Sequence, residues 1–89
     1  MSRYKRVVKE FFSGSIRDFR LRHHYSQEYM AELLHISTRC YIDQEHGKYG
    51  FSAVPLLSFL LLLSDNDVLL MLHNFRELLE KEAHNNDAA

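Results

Sequence analysis

The sequence predicts an all-α fold of five helices joined by short connections. Apolar residues recur at intervals of three and four along most of the chain, which is the spacing of one face of a helix. No segment alternates apolar and polar residues with a period of two over a useful length, so strands are not expected. The chain has 89 residues, 46% hydrophobic and 26% charged. This composition favours one globular domain over residues 1–89.

The first helix is predicted from about Arg3 to His23. Gly14 lies near its middle, where a glycine weakens a helix, so a break into two pieces is the alternative. The residues of its apolar stripe are Val8, Phe12, Ile16 and Phe19.

Two short helices are predicted in the segment Ser26–Lys48, which reads SQEYMAELLHISTRCYIDQEHGK. Ser26 and Ser37 are the expected N-caps of the second and third helices, and His35 and Ile36 connect the two. The third helix ends at Gly47, a residue suited to the left-handed position that follows a helix. The apolar positions of the second helix are Met30, Ala31 and Leu34. Two short helices at a tight turn are typical of a helix-turn-helix, whose second helix enters the DNA major groove.

The fourth and fifth helices complete the chain. Ser52 is the expected N-cap of the fourth, with Pro55 in its first turn. Its body, Leu56–Leu63, is apolar nearly all round, so we expect it to be central and buried on most sides. Ser64 and Asp67 form a capping-box-like start to the fifth helix, which is predicted over about residues 65–84. The apolar positions of the fifth helix are Val68, Met71, Leu72, Phe75, Leu78 and Leu79.

Over roughly residues 11–63 the chain resembles the Cro and lambda-repressor family of DNA-binding domains, with the spacing kept and no gap. The residues that carry this resemblance are Ile16 to Arg20, Ser26-Gln27, Met30-Ala31, Leu34, Ile36-Ser37 and Glu45-His46-Gly47-Lys48. The sequence departs from the family at three positions. His35 stands where the family usually has Gly, Gln44 stands where it prefers an apolar residue, and Asp43 stands at an exposed position that is often polar or basic.

The resemblance implies which residues contact DNA. By position, Thr38, Arg39 and Asp43 on the third helix are expected to contact base edges. Arg39 is the strongest candidate, since a guanidinium donates bidentately to O6 and N7 of guanine. The residues expected to contact or flank the DNA backbone are Gln27, Cys40, His46 and Lys48. Arg20 and Glu45 match the family positions of an internal ion pair that fixes the third helix against the first.

The charge distribution agrees with a nucleic-acid partner. The whole chain has a net charge of −1, but residues 1–50 carry +3 and residues 51–89 carry −4. Positive charge therefore lies on the half that contains the two short helices, where phosphates would be contacted.

Other classes of function find little support in the sequence. Six histidines are present, but no His, Cys, Asp or Glu set has the spacing of zinc ligands, so no metal and no cofactor are expected. Cys40 has no evident base partner and no phosphate-binding glycine loop appears, so an enzyme is not expected. The N-terminus does not read as a secretory signal, and the longest apolar run is too short to span a membrane.

The fifth helix has more apolar residues than one inner face requires. If Val68, Leu72, Phe75 and Leu79 pack inward, then Leu69, Met71 and Leu78 remain in excess, and we expect them to form a homodimer interface together with Leu60–Leu63. The alternative is that the N-terminal segment covers this surface within one chain. The covering residues would then be Tyr4, Val7 and Phe11.

The expected function is therefore that of a transcriptional regulator of bacterial or phage type, which binds duplex DNA as a homodimer in the cytoplasm, at the nucleoid. One alternative is an antitoxin-type or accessory regulator whose last helix binds a partner protein. The other is a protein-interaction module that kept this fold and lost DNA binding.

Overall fold

The computed structural model describes the backbone of residues 3–88 and the side chains of residues 3–83, and it confirms the all-α fold with five helices. The helices are α1 (Arg3–Arg22), α2 (Gln27–Leu33), α3 (Thr38–Glu45), α4 (Ala53–Leu62) and α5 (Asp65–Ala88). The described residues contain no strand. No helix of this part of the chain has the length and apolarity that crossing a membrane requires.

Helix α1 runs through Gly14 without a break, so the alternative of two pieces was wrong. One face of α1 forms the floor of the core. Its buried apolar residues are Val7, Phe12, Ile16 and Phe19, while Val8 is only half-buried.

Helices α2 and α3 form the predicted pair and pack against each other, and α3 also packs against α1. The hydroxyl of Ser26 accepts a hydrogen bond from the backbone N–H of Tyr29 at 3.0 Å, and that of Ser37 accepts one from Cys40 at 3.1 Å. Both predicted N-caps are therefore confirmed. Met30, Ala31 and Leu34 are buried as predicted, and the small side chain of Ala31 lets the two helices approach closely.

The first three helices end in the same way. After each helix the chain takes a left-handed residue, at His24 (φ 58°), His35 (φ 61°) and Gly47 (φ 78°). In α2, for example, the N–H of Ile36 donates to the carbonyl of Ala31 and that of His35 to Glu32, which is the Schellman pattern. His35 therefore occupies a position that glycine adopts at lower cost.

Helix α4 differs from the prediction that it would be central. Only Pro55 and Phe59 are buried, whereas Leu57 is 58% and Leu61 is 85% exposed. Helix α4 therefore packs on one side only and lies at the edge of the domain.

Helix α5 also departs from its prediction, although Ser64 does cap its first turn by accepting from the N–H of Asp67 at 3.2 Å. Met71 is buried in the core, whereas Leu72 is 40% exposed. The assignment of Met71 to an outer, dimerising surface was therefore wrong, and so was the inward placement of Leu72. The helix also extends to Ala88 instead of ending near residue 84.

Candidate nucleic-acid interface

A buried carboxylate fixes the end of α3 against α1. Glu45 and Arg20 form the predicted ion pair, with Nε of Arg20 2.8 Å from Oε2 and Nη2 2.9 Å from Oε1 of Glu45. The side chains are 2% exposed in Glu45 and 14% in Arg20. Nη1 of Arg20 also donates to the carbonyl of Tyr25 at 3.2 Å. The guanidinium therefore links α3 to the turn that precedes α2.

Two further donors, which the sequence analysis did not assign, complete the site around Glu45. The hydroxyl of Tyr41 donates to Oε2 of Glu45, and Nε2 of Gln27 donates to Oε1 at 3.1 Å. Tyr41 precedes Glu45 by four residues in α3, so helical spacing could have indicated this contact. Gln27 belongs to α2, and its contact with the pair depends on tertiary structure.

These contacts determine how the groups ionise. Burial alone would raise the pKa of Glu45, but hydrogen bonds from Arg20, Tyr41 and Gln27 outweigh it and hold the pKa below its usual value. The hydrogen bond with Glu45 raises the pKa of Arg20. Burial, followed by the bond to Glu45, raises the pKa of Tyr41. The site is therefore an anionic carboxylate held by one cation and two neutral donors.

The outer face of α3 contains the three predicted base-contacting residues. Arg39 is 83% exposed in its side chain, and Thr38 is half-buried beside it. Asp43 is less exposed than expected, and its Oδ2 lies 3.7 Å from Nε of Arg39, one turn away. The pair leaves the rest of the guanidinium open to solvent, so Arg39 has donors available to a ligand.

The four residues predicted near the DNA backbone do not form one cluster. Gln27 is turned inward to Glu45, as described above, instead of being free for a phosphate. Cys40 is a half-buried free thiol, and His46 is exposed directly after α3. Lys48 is exposed, with its Nζ 5.6 Å from the centre of the Tyr49 ring. Of these four residues, His46 and Lys48 therefore remain accessible on this side.

Gln44 is buried at the position where the resemblance would favour an apolar residue. Its Nε2 lies 3.5 Å from the Sγ of Cys40, and its Oε1 has no hydrogen-bond partner. A buried acceptor without a partner reduces the stability of the fold.

A cleft of about 330 Å³ separates the middle of α1 from the end of α3. Three basic residues of α1 line it, together with His46 and Gly47. The two acids in its lining are Glu10 and Glu45, and Glu45 is already paired with Arg20. The basic residues are Arg6, Lys9 and Arg17. The positive charge of α1 therefore lies beside the end of α3.

An apolar surface lies at the joint between α4 and α5. Leu61 projects from it, beside a groove of about 450 Å³. The residues that line the groove are Leu60, Leu61, Leu63, Asp65, Val68 and Leu69. We call these residues, together with Leu57 and Leu72, the α4–α5 face.

The N-terminal part of α1 covers only the far half of α5. The rings of Phe11 and Phe75 are 4.9 Å apart, and Nε of Arg3 lies 2.9 Å from Oε2 of Glu82. Leu78 is half-buried in this region, while Leu69 is 66% exposed. Of the three residues predicted for a dimer interface, Leu69 alone is thus well exposed.

Within the described part of the chain, no group of three or more His, Cys, Asp or Glu side chains is arranged to hold a metal ion. No protein-family model matches the chain, and comparisons with curated proteins and with solved structures found no match. The geometry of the chain itself therefore carries the functional argument.

Proposed function

We propose that this protein is a sequence-specific duplex-DNA-binding transcriptional regulator that acts as a small dimer on an operator. Helix α3 would enter the major groove, with Arg39, Thr38 and Asp43 directed to base edges. Occupancy of the operator would block or recruit the polymerase.

The observation that carries this proposal concerns the two ends of α3. The guanidinium of Arg39 is mostly exposed near one end, and the buried ion pair between Glu45 and Arg20 fixes the other end. Arg39 lies in the first turn of α3, and Glu45 ends the helix in contact with Arg20, Tyr41 and Gln27. An anchor of this kind fixes the orientation of α3, and a fixed orientation is what directional hydrogen bonds to base edges require. Arg39 can donate to guanine from the side that Asp43 does not occupy.

The basic cleft between α1 and the end of α3 supports the same proposal, because its positive charge would increase the affinity for DNA. Phosphate contacts supply most of the non-specific attraction to DNA and determine its salt dependence. Arg6 and Arg17 line the cleft beside the end of α3, and Lys48 follows α3 in the chain. The phosphates that flank an occupied groove would therefore meet positive charge.

Binding to random duplex DNA over a range of salt concentrations tests this proposal. We expect affinity to fall steeply with salt, and each lost phosphate contact to reduce the slope by about 0.9. The Arg6→Ala/Arg17→Ala variant should therefore reduce it by about two units. The matched control is Arg76→Ala/Lys81→Ala, which removes two bases from α5 and should leave the slope unchanged. Absence of any salt-dependent binding by the wild-type chain would favour the module that lost DNA binding.

The dimer part of the proposal rests on the α4–α5 face. Leu61 is exposed at a groove on this surface, so a two-fold contact through this face would bury the Leu61 of both copies. Such an isologous contact is self-complementary, and it would pair two recognition helices for a palindromic operator. Five of the six residues that line the groove are apolar, and Asp65 is its single charged residue.

Light scattering on the Leu61→Lys variant tests the dimer. We expect the mass of two chains for the wild-type protein at micromolar concentration and of one chain for the variant. The control is Leu21→Lys, at an exposed leucine of α1, which should stay dimeric. A strictly monomeric wild-type protein would contradict the dimer. It would leave the α4–α5 face to a different protein, as in an antitoxin-type or accessory regulator.

A further inference from the structure

A third recess lies between the first half of α1, the loop before α4 and the first turn of α4. Its volume is about 370 Å³. It shares Lys9 with the basic cleft described above, but it shares no residue with the proposed base contacts or with the α4–α5 face. The residues that line it are Tyr4, Lys5, Val8, Lys9, Phe12, Gly50, Phe51 and Leu56.

The chemistry of the recess follows from the helical spacing of α1. Val8 and Phe12 are one turn apart and form an apolar floor, and Phe51 closes it from the loop. Lys5 and Lys9 are also one turn apart on α1, and both line the recess. No acid is among the lining residues. The recess is therefore apolar inside and positively charged at one edge.

We propose that this recess binds a small organic carboxylate with an aromatic ring or a short branched hydrocarbon chain. The volume lies at the lower end of the range of small-molecule sites, ~300–1,000 Å³, which suits a compact ligand. The hydrocarbon would contact Val8, Phe12 and Phe51, and the carboxylate would meet the ammonium group of Lys9. A neutral ligand of the same shape would lack the second contact.

This ligand site goes beyond DNA binding and does not depend on it. A ligand here would bridge α1, α4 and the loop at Gly50 and Phe51. That loop begins directly after Lys48, at the end of the proposed DNA-binding segment. An effector bound here would thus have a physical connection to the recognition helix.

Titration of the full chain with phenylacetate, followed by amide chemical shifts, tests the proposal. We expect saturable shifts at Val8, Phe12, Gly50 and Phe51 at millimolar ligand. Phenylacetamide, the neutral match, should bind roughly three- to fivefold more weakly, which is the contribution of an ion pair at a partly exposed site.

Two variants connect the result to named side chains. Lys9→Gln should weaken phenylacetate and leave phenylacetamide unchanged, whereas Lys81→Gln on α5, the control, should change neither. Val8→Trp should fill the recess and block both ligands, and its helical circular dichroism shows whether it folds. Equal affinity for phenylacetate and phenylacetamide, shifts on another surface, or no saturation would each overturn the proposal.

Discussion

The Glu45→Gln substitution gives the sharpest test of the anchor that holds α3. It keeps the size of the side chain, removes the negative charge, and turns one of the two acceptor atoms into a donor. That atom would then face Arg20, Tyr41 or Gln27, all of which donate to Glu45 in the wild-type protein. The guanidinium of Arg20 would be left mostly buried without its counter-ion.

The size of the effect follows from the burial of the pair. Removing one partner of a buried ion pair costs about 3–5 kcal/mol. Because 14% of the Arg20 side chain remains exposed, water offsets part of this loss, and we expect about 3 kcal/mol. At roughly 4–8 °C per kcal/mol for a domain of this size, the melting temperature should fall by about 12–24 °C.

Urea and thermal unfolding measure this loss, with Glu77→Gln as the control. Glu77 is 68% exposed and contacts His73 one turn away, so its neutralisation should change stability by less than about 0.5 kcal/mol. An unchanged melting temperature in Glu45→Gln would refute the reasoning, because it would mean that the buried pair contributes nothing.

The same pair predicts a dependence on pH. The pKa of Glu45 is lowered in the folded state, so its stabilisation is fully present above the ordinary glutamate pKa and is lost as pH falls through the folded-state pKa. The wild-type protein should therefore lose stability in this acidic range, and Glu45→Gln should lose less of it. Parallel pH profiles of the two proteins would contradict the assigned pKa direction.

Three further substitutions test local features. His35→Gly should stabilise the fold by about 1 kcal/mol, since His35 has a left-handed φ, whereas His73→Gly, inside α5, should destabilise it by about 1 kcal/mol; equal signs would contradict this. Ser37→Ala should cost about 1 kcal/mol, and Ser52→Ala almost nothing, because only Ser37 makes a side-chain cap bond; equal losses would refute the assignment. Gln44→Leu should raise the urea midpoint by removing an unpartnered acceptor, and a lowered midpoint would show that Gln44 is satisfied.

The features that the sequence predicted well are those with a local cause. Ser26 and Ser37 cap helices through bonds to residues three positions away, and Gly47 ends α3 with a left-handed φ. The Arg20–Glu45 pair was also predicted, although its residues lie on different helices. That pair was predicted from the resemblance, because both residues match family positions that form an ion pair. Hydrophobic periodicity alone cannot predict a contact between two helices.

The errors have a tertiary cause. Leu57 and Leu61 belong to an apolar helix, but α4 packs on one side only, and a hydrophobic run does not indicate how many neighbours a helix has. Met71 was predicted to lie on the outer side of α5 and Leu72 on the inner side, and the structure shows the reverse. Adjacent residues of a helix point about 100° apart, so a modest error in the assumed inner face of α5 exchanges the two. The hydrogen bond from Gln27 to Glu45 could not be predicted either, because it depends on how α3 packs against α2.

The central claim is that α3 reads base edges through Arg39, and one binding measurement tests it most directly. Duplexes selected by the wild-type protein from a random pool would be compared with unselected duplexes, for the wild-type protein and for Arg39→Ala. We predict that Arg39→Ala weakens binding to the selected duplex by roughly 1–3 kcal/mol and relaxes preference at one base pair, with binding to random duplex nearly intact. Lys48→Ala, in contrast, should weaken both duplexes equally and reduce the salt slope by about one unit. If Arg39→Ala weakened selected and random duplexes alike, α3 would not read bases through that residue.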